Sequence, residues 1–157
     1  MRSHQLAALA LSLGLVATIT GCGGPETAPL TETNKTDFVL NDIGEMYRQY
    51  AFSKKKPANS LADFAPLDTV APLGFKALKD GDVIARAGVE IKDVMEGPAT
   101  TDPADDVLAY AKEVPTSGGL VLMHNRTVKQ MTADEFKAAK LAGTGDLAAG
   151  STAKSKH

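Results

Sequence analysis

Residues 107–140, VLAYAKEVPTSGGLVLMHNRTVKQMTADEFKAAK, decide how this chain folds. Val107-Leu108-Ala109-Tyr110-Ala111 and Leu120-Val121-Leu122-Met123 are short apolar runs bounded by turn residues. Such runs suit strands covered on both faces, and by pattern alone they also suit a buried helix segment. The intervening Pro115-Thr116-Ser117-Gly118-Gly119 decides for strands, because proline and paired glycine break a helix and permit a reversal. His124-Asn125-Arg126 then interrupts the apolar run, and Asn tolerates the positive φ of a tight hairpin turn. Thr127-Val128-Lys129-Gln130-Met131 alternates weakly, as an edge strand does, with Lys129 discouraging pairing to another chain. Thr132-Ala133-Asp134-Glu135 fits a capping box, in which the Thr hydroxyl accepts from the Glu135 amide and the Glu135 carboxylate reaches back. This predicts a helix that runs through Phe136 and Leu141 and stops at Gly143, a natural residue for the end of a helix.

Before this stretch, Val83, Ala85, Ala87, Val89 and Ile91 alternate with Ile84, Arg86, Gly88 and Glu90. That period of two predicts a strand with one small apolar face. Residues 92–106, KDVMEGPATTDPADD, read as an acidic loop joining it to the stretch above. Further upstream, Val39, Ile43, Met46, Tyr47 and Tyr50 form one apolar stripe at helical spacing, which predicts a helix over 37–53. Asn41, Glu45, Arg48 and Gln49 lie off the stripe and are expected to face water. Lys54-Lys55-Lys56 closes the helix, where cations suit the negative end of its dipole; the same run also suits contact with anionic lipid head groups. Ser60-Leu61-Ala62-Asp63 repeats a capping signature and predicts one or two helical turns before Pro66. Residues 68–79 match neither period cleanly, and Asp80-Gly81 reads as a turn.

The two ends differ from the middle. Arg2 followed by an uncharged apolar or small run over 6–19 reads as a signal peptide over 1–21; 14 residues fall short of the roughly 20 that span a bilayer. The run ends in Ile19-Thr20-Gly21-Cys22, which resembles the bacterial lipobox. By that resemblance Cys22 becomes the mature N-terminus and carries a diacylglyceryl thioether and an N-acyl chain such as palmitate. Two or three acyl chains anchor stably where one does not. Cys22 is the only cysteine, so no disulfide within the chain and no free thiol for catalysis are expected. Residues 22–35 read as a flexible tether and 143–157 as a disordered tail, which leaves one domain over 36–142.

Few chemistries find their residues. Of the histidines, His124 and His157 lie beyond the signal peptide; His124 beside a turn reads as a surface residue, and zinc sites need several His or Cys at close spacing. Neither a phosphate-binding Gly-rich loop nor a G-x-S-x-G elbow is present, and nothing assembles a nucleophile, base and orienter, so no enzyme is expected. Glu96, Asp102, Asp105 and Asp106 carry the oxygen ligands that calcium takes, although their spacing matches no EF-hand. A net charge of −2, from 17 basic and 19 acidic residues, with no Trp and no basic stripe, argues against nucleic-acid binding. Asn34-Lys35-Thr36 and Asn125-Arg126-Thr127 match the glycosylation sequon and read as chance in a bacterial lipoprotein.

Asp42-Ile43-Gly44-Glu45-Met46-Tyr47-Arg48-Gln49-Tyr50, Asn59-Ser60-Leu61-Ala62-Asp63 and the 107–140 stretch together resemble planctomycete envelope lipoproteins whose soluble domain is similar to a type II secretion pseudopilin. The resemblance implies an N-terminal helix, a Pro/Leu-rich segment and a small antiparallel sheet; some pseudopilins also hold calcium in a loop near that sheet. In a pseudopilin a long apolar helix follows the cleavage site and packs the filament. Here the apolar run precedes Cys22, so filament assembly by that route is not expected. The turn before the last strand, commonly Asp-Gly in such sequences, is His124-Asn125-Arg126 here.

The expectation is therefore an α+β domain: a long N-terminal helix packed on an antiparallel sheet of about four strands, with a short C-terminal helix and without the pseudopilin transmembrane helix. Its expected role is non-catalytic: a protein-interaction or scaffold module of the bacterial cell envelope, held to the membrane through acyl chains on Cys22 and facing the periplasm or exterior. Other envelope proteins are its expected partners. The alternative is a small-ligand or calcium-binding envelope module that uses the 92–106 loop.

Overall fold

The computed structural model describes Thr31 and residues 34–147, so the signal-peptide, lipobox and most tether assignments lie outside the described residues, as do residues 148–157. Helix α1 (Lys35–Lys54) is the longest element. A 3₁₀ helix (Leu61–Leu67) and α2 (Pro72–Asp80) follow, then β1 (Val83–Ala87) and β2 (Asp106–Ala111). The chain closes with α3 (Val114–Ser117), β3 (Gly119–Met123), β4 (Val128–Met131), α4 (Ala133–Ala138), β5 (Lys140–Leu141) and β6 (Gly145–Asp146).

The architecture is α+β, a helix packed on a six-stranded sheet of order β4-β3-β2-β1-β6. These neighbours are antiparallel, while β5 lies parallel to β2 through Asp106↔Lys140 and Val107↔Leu141. Four strands were expected; the two additional ones are two-residue strands drawn from the C-terminal segment. Among the described residues no helix is long and apolar enough to cross a membrane.

Both faces of the sheet are covered, which is why β2 is buried at every position and reads as an unbroken apolar run. Along β3, Leu120 and Leu122 pack toward α1 while Val121 and Met123 pack toward the opposite core. The α1 side gathers Val39, Leu40, Ile43, Met46, Tyr47 and Tyr50, the expected stripe widened by Leu40. Phe64 stands edge-on to Tyr47 and Tyr50, with ring centroids 4.9 and 5.8 Å apart. Each such pair adds about 0.5–1.5 kcal/mol beyond the area it buries. On the other face Phe136 of α4 packs on Tyr110 at 4.6 Å.

Several local expectations are corrected. Glu45, Arg48 and Gln49 are half-buried rather than solvated, because Arg48 reaches the carbonyl of Val94 at 3.0 Å and holds Glu45. Ser60 and Asp63 do form a capping box, but the helix behind them is 3₁₀ and runs through Pro66. The unassigned 68–79 segment contains α2, and Gly81 ends that helix at φ 74°. Pro115 is the second residue of the single turn of α3 instead of only breaking the chain. In the β3–β4 turn the positive φ falls on Arg126, at 62°, and not on Asn125.

The capping box at Thr132 and Glu135 forms as expected, with bonds of 3.2 and 2.7 Å, yet α4 stops at Ala138 instead of reaching Gly143. Ala139 turns extended, Lys140 bonds Asp106 at 2.8 Å, and the amide of Ala142 donates to the carbonyl of Val107. Pairing with β2 overrides the local helix preference of KAAKLA. The fold also runs past 142: the amide of Leu147 donates to the carbonyl of Ala85 at 2.7 Å, so residues 143–147 belong to the sheet and not to a tail.

Candidate functional site

Beyond Ala87 the period-two burial continues without strand pairing: Val89 and Ile91 are buried, and the chain enters the 92–106 loop. The carboxylate of Asp102 turns inward and accepts the amides of Lys92 at 2.9 Å and Asp93 at 3.3 Å. Asp93 does the same for Met95 at 3.0 Å and for the amide and hydroxyl of Thr100 at 2.9 and 3.2 Å. The Thr100 amide foremost, then that of Met95, holds the Asp93 carboxyl below its ordinary value.

Arg126 enters this loop from the β3–β4 turn. Its guanidinium donates to the carbonyls of Asp93, Met95 and Gly97, the last two at 2.7 and 2.8 Å, and stands 3.9 Å from Asp102. The side chain is 6% exposed. Burial pulls the guanidinium below its ordinary value while the charges of Asp93 and Asp102 oppose the shift. Three carbonyls and a carboxylate are the oxygen set that a hard cation takes. In this loop the guanidinium of Arg126 occupies it.

The four candidate calcium ligands are dispersed. Asp102 is buried, Glu96 and Asp105 are exposed, and Asp106 is bonded to Lys140. Among the described residues no three His, Cys, Asp or Glu side chains group so as to hold a metal ion. His124 is buried, contrary to the surface expectation: its Nε2 meets the carbonyl of Glu90 at 2.9 Å, and its Nδ1 has no partner among the described residues. Asn125, in one of the two sequons, accepts from the hydroxyl of Thr127 at 2.7 Å. Cys22 lies outside the described residues.

Between α1 and this loop runs a cleft of about 470 Å³, walled by Asp37, Asn41 and Glu45 on the helix and by Pro98, Thr127 and Val128 opposite. The Glu45 carboxylate is held by Arg48 and Gln49, and the Arg48 bond pulls its carboxyl below the ordinary range. Asp37 accepts from Asn41 at 3.2 Å. The wall thus offers carboxylate and amide oxygens, suited to an amine or hydroxyl. Neither Arg126 nor the cleft was singled out in the sequence. An Arg in a turn carries no signal of its own, and only the fold brings it to a loop 30 residues away.

Comparison of the chain with protein families, with curated proteins and with solved structures finds no match.

Proposed function

We propose that this protein is a non-catalytic, lipid-anchored protein of the bacterial cell envelope, facing the periplasm or exterior, whose domain works as an interaction or scaffold module for other envelope proteins. One observation carries the reading: the only cysteine stands at the end of an uncharged apolar run, in Ile19-Thr20-Gly21-Cys22. The described body is compatible with work by contact, since Asp93, Asp102 and Arg126 are committed to each other and to the backbone. The pseudopilin likeness enters here as well. A long helix on a largely antiparallel sheet supports it, while six strands and the parallel β5 depart from the small sheet that it implies. Cys22→Ser is the test: the variant should lose acylation by mass spectrometry and leave the membrane fraction. A variant that remains membrane-bound removes the anchor from the reading.

The cleft beside the 92–106 loop favours the small-ligand form of a second reading, a small-ligand or calcium-binding envelope module; the dispersed carboxylates do not favour its calcium form. Calorimetry separates the two. A calcium titration with no heat and an unchanged melting temperature removes the calcium form of this reading.

A further inference from the structure

The last turn of α1 and the segment after β1 form a second groove, of about 450 Å³, lined by Lys55, Lys56, Lys92, Glu90, Ile91 and Val94 among others. Elsewhere Lys76, Lys112, Lys137 and Lys140 each meet an aspartate. Among the described residues, Lys56 and Lys92 in the groove, and Lys54 next to it, have no carboxylate within salt-bridge distance, and Lys55 stands over the ring of Phe52 at 4.7 Å. Glu90 is the one carboxylate in the lining, so the face is net positive. Phe52, 59% exposed, stands beside it through its contact with Lys55.

We infer that this face, built on Phe52, Lys54, Lys55, Lys56 and Lys92, docks on an anionic lipid surface. Lysines on exposed stems flank the groove without enclosing it, which suits a plane of many charges better than one bound anion. Lysines beside an exposed aromatic ring are the composition of interfacial membrane contacts. The inference rests on the envelope reading for the presence of a membrane, but the contact itself needs no acyl chain. The two are compatible in space. The 12 residues between Cys22 and Lys35 reach at most about 40 Å, and α1 is about 30 Å long, so an anchor at Cys22 and the far end of α1 can meet one bilayer.

The test uses the chain from residue 22 onward, which holds every described element, with Cys22→Ser so that no acyl chain contributes. Co-sedimentation is measured with phosphatidylcholine vesicles and with vesicles containing phosphatidylglycerol. Retention by the anionic vesicles alone is expected, with release as salt rises. Binding should fall about fivefold for each lysine neutralised in the series Lys54→Gln, Lys55→Gln, Lys56→Gln. Phe52→Ser should weaken binding without changing the salt dependence, and all four positions are exposed, so melting temperatures should stay fixed. No retention, equal retention by neutral vesicles, or an unaffected triple variant overturns the inference. Binding that survives Phe52→Ser unchanged and is competed by a polyglutamate peptide assigns the face to an acidic protein and also overturns it. Acylation is read separately at Cys22, so failure here leaves the anchor reading standing.

Discussion

Asp42 of α1 caps α2 from outside that helix: its carboxylate accepts the amides of Leu73 and Gly74, both at 3.1 Å. The residue at α2's own N-cap is Ala71, which has no side-chain oxygen to offer. The two helices approach so closely that a β-carbon at Gly74 would lie 2.8 Å from Cβ of Asp42 and 3.0 Å from the amide nitrogen of Ile43. Cap and glycine are one device, joining the helix whose stripe was legible to the helix that was not.

Gly74→Ala should therefore destabilise the fold. Alanine gains about 1 kcal/mol of helix propensity over glycine, but overpacking against a backbone atom costs about 1–3 kcal/mol. Asp42→Ala should cost about 1 kcal/mol, the usual worth of a cap, and Asp42→Asn should keep most of it. Urea denaturation of the three variants measures both effects. Gly74→Ala that equals or exceeds the parent would show that the helices can separate freely.

Removing the Arg126 clamp should loosen the loop before the sheet. Arg126→Gly relieves the positive φ but removes the bonds to the carbonyls of Met95 and Gly97 and the charge facing Asp102, which keeps its two amide bonds. A loss of about 1.5–3 kcal/mol is expected for the charged hydrogen bonds removed. Hydrogen exchange at Thr100 should accelerate in the variant while the amides of β2 and β3 remain protected. Uniform acceleration across the sheet would place the clamp in the global fold instead.

The pH dependence has a sign at each end. Asp63 accepts from the amides of Asn59 and Ser60 and from the Tyr50 hydroxyl, at 3.0, 3.0 and 2.9 Å. The Asn59 bond foremost holds its carboxyl below the ordinary value, and the Arg48 bond does the same for Glu45. A depressed carboxyl stabilises above its unfolded value, about 4, and that stability is lost as pH falls through the folded value. Tyr47 is the reverse case. Burial pushes its phenol up, and its hydroxyl donates to the Arg86 carbonyl, a bond only the protonated form makes. Its contribution is complete below the unfolded value of about 10 and declines as pH rises beyond it. Thermal melts against pH should thus be flat between these limits, with Asp63→Asn reducing the acid slope and Tyr47→Phe the alkaline one.

Gly143 should tolerate no side chain. It sits at φ 68°, and a β-carbon there would lie 2.1 Å from the carbonyl oxygen of Ala87. Gly143→Ala should detach β6, exposing the amide of Leu147 to exchange, and should lower the melting temperature. If the Leu147 amide stays protected in the variant, the turn can be rebuilt elsewhere.

Legibility in the sequence followed whether a segment's partners were local. The stripe on α1 was readable because one face meets one core, and the Thr132–Glu135 cap because both bonds close within a turn. The end of α4 was not, because Lys140–Leu141 answers to Asp106 and Val107 in β2. Helix α2 escaped because an alanine N-cap and a glycine inside its first turn are poor local signals that Asp42 makes good from another helix. Of the site, the loop was found from its acidity. What that acidity serves was missed, since Arg126 and the inward turn of Asp102 appear only once β3 and β4 are paired.

The parallel entry of β5 has a consequence for how the chain is made. Arg86 bonds the carbonyl of Ala142 across 56 positions and pairs with Asp146 across 60. Strand β1 therefore leaves the ribosome long before the residues that shield its outer edge. A nascent chain halted ahead of Lys140 has β1 bare along that side and Asp106 and Val107 without the neighbour that β5 supplies. Uncovered strand edges of that kind are templates for association with other chains. Synthesis must reach the final stretch before this sheet is safe from its own kind.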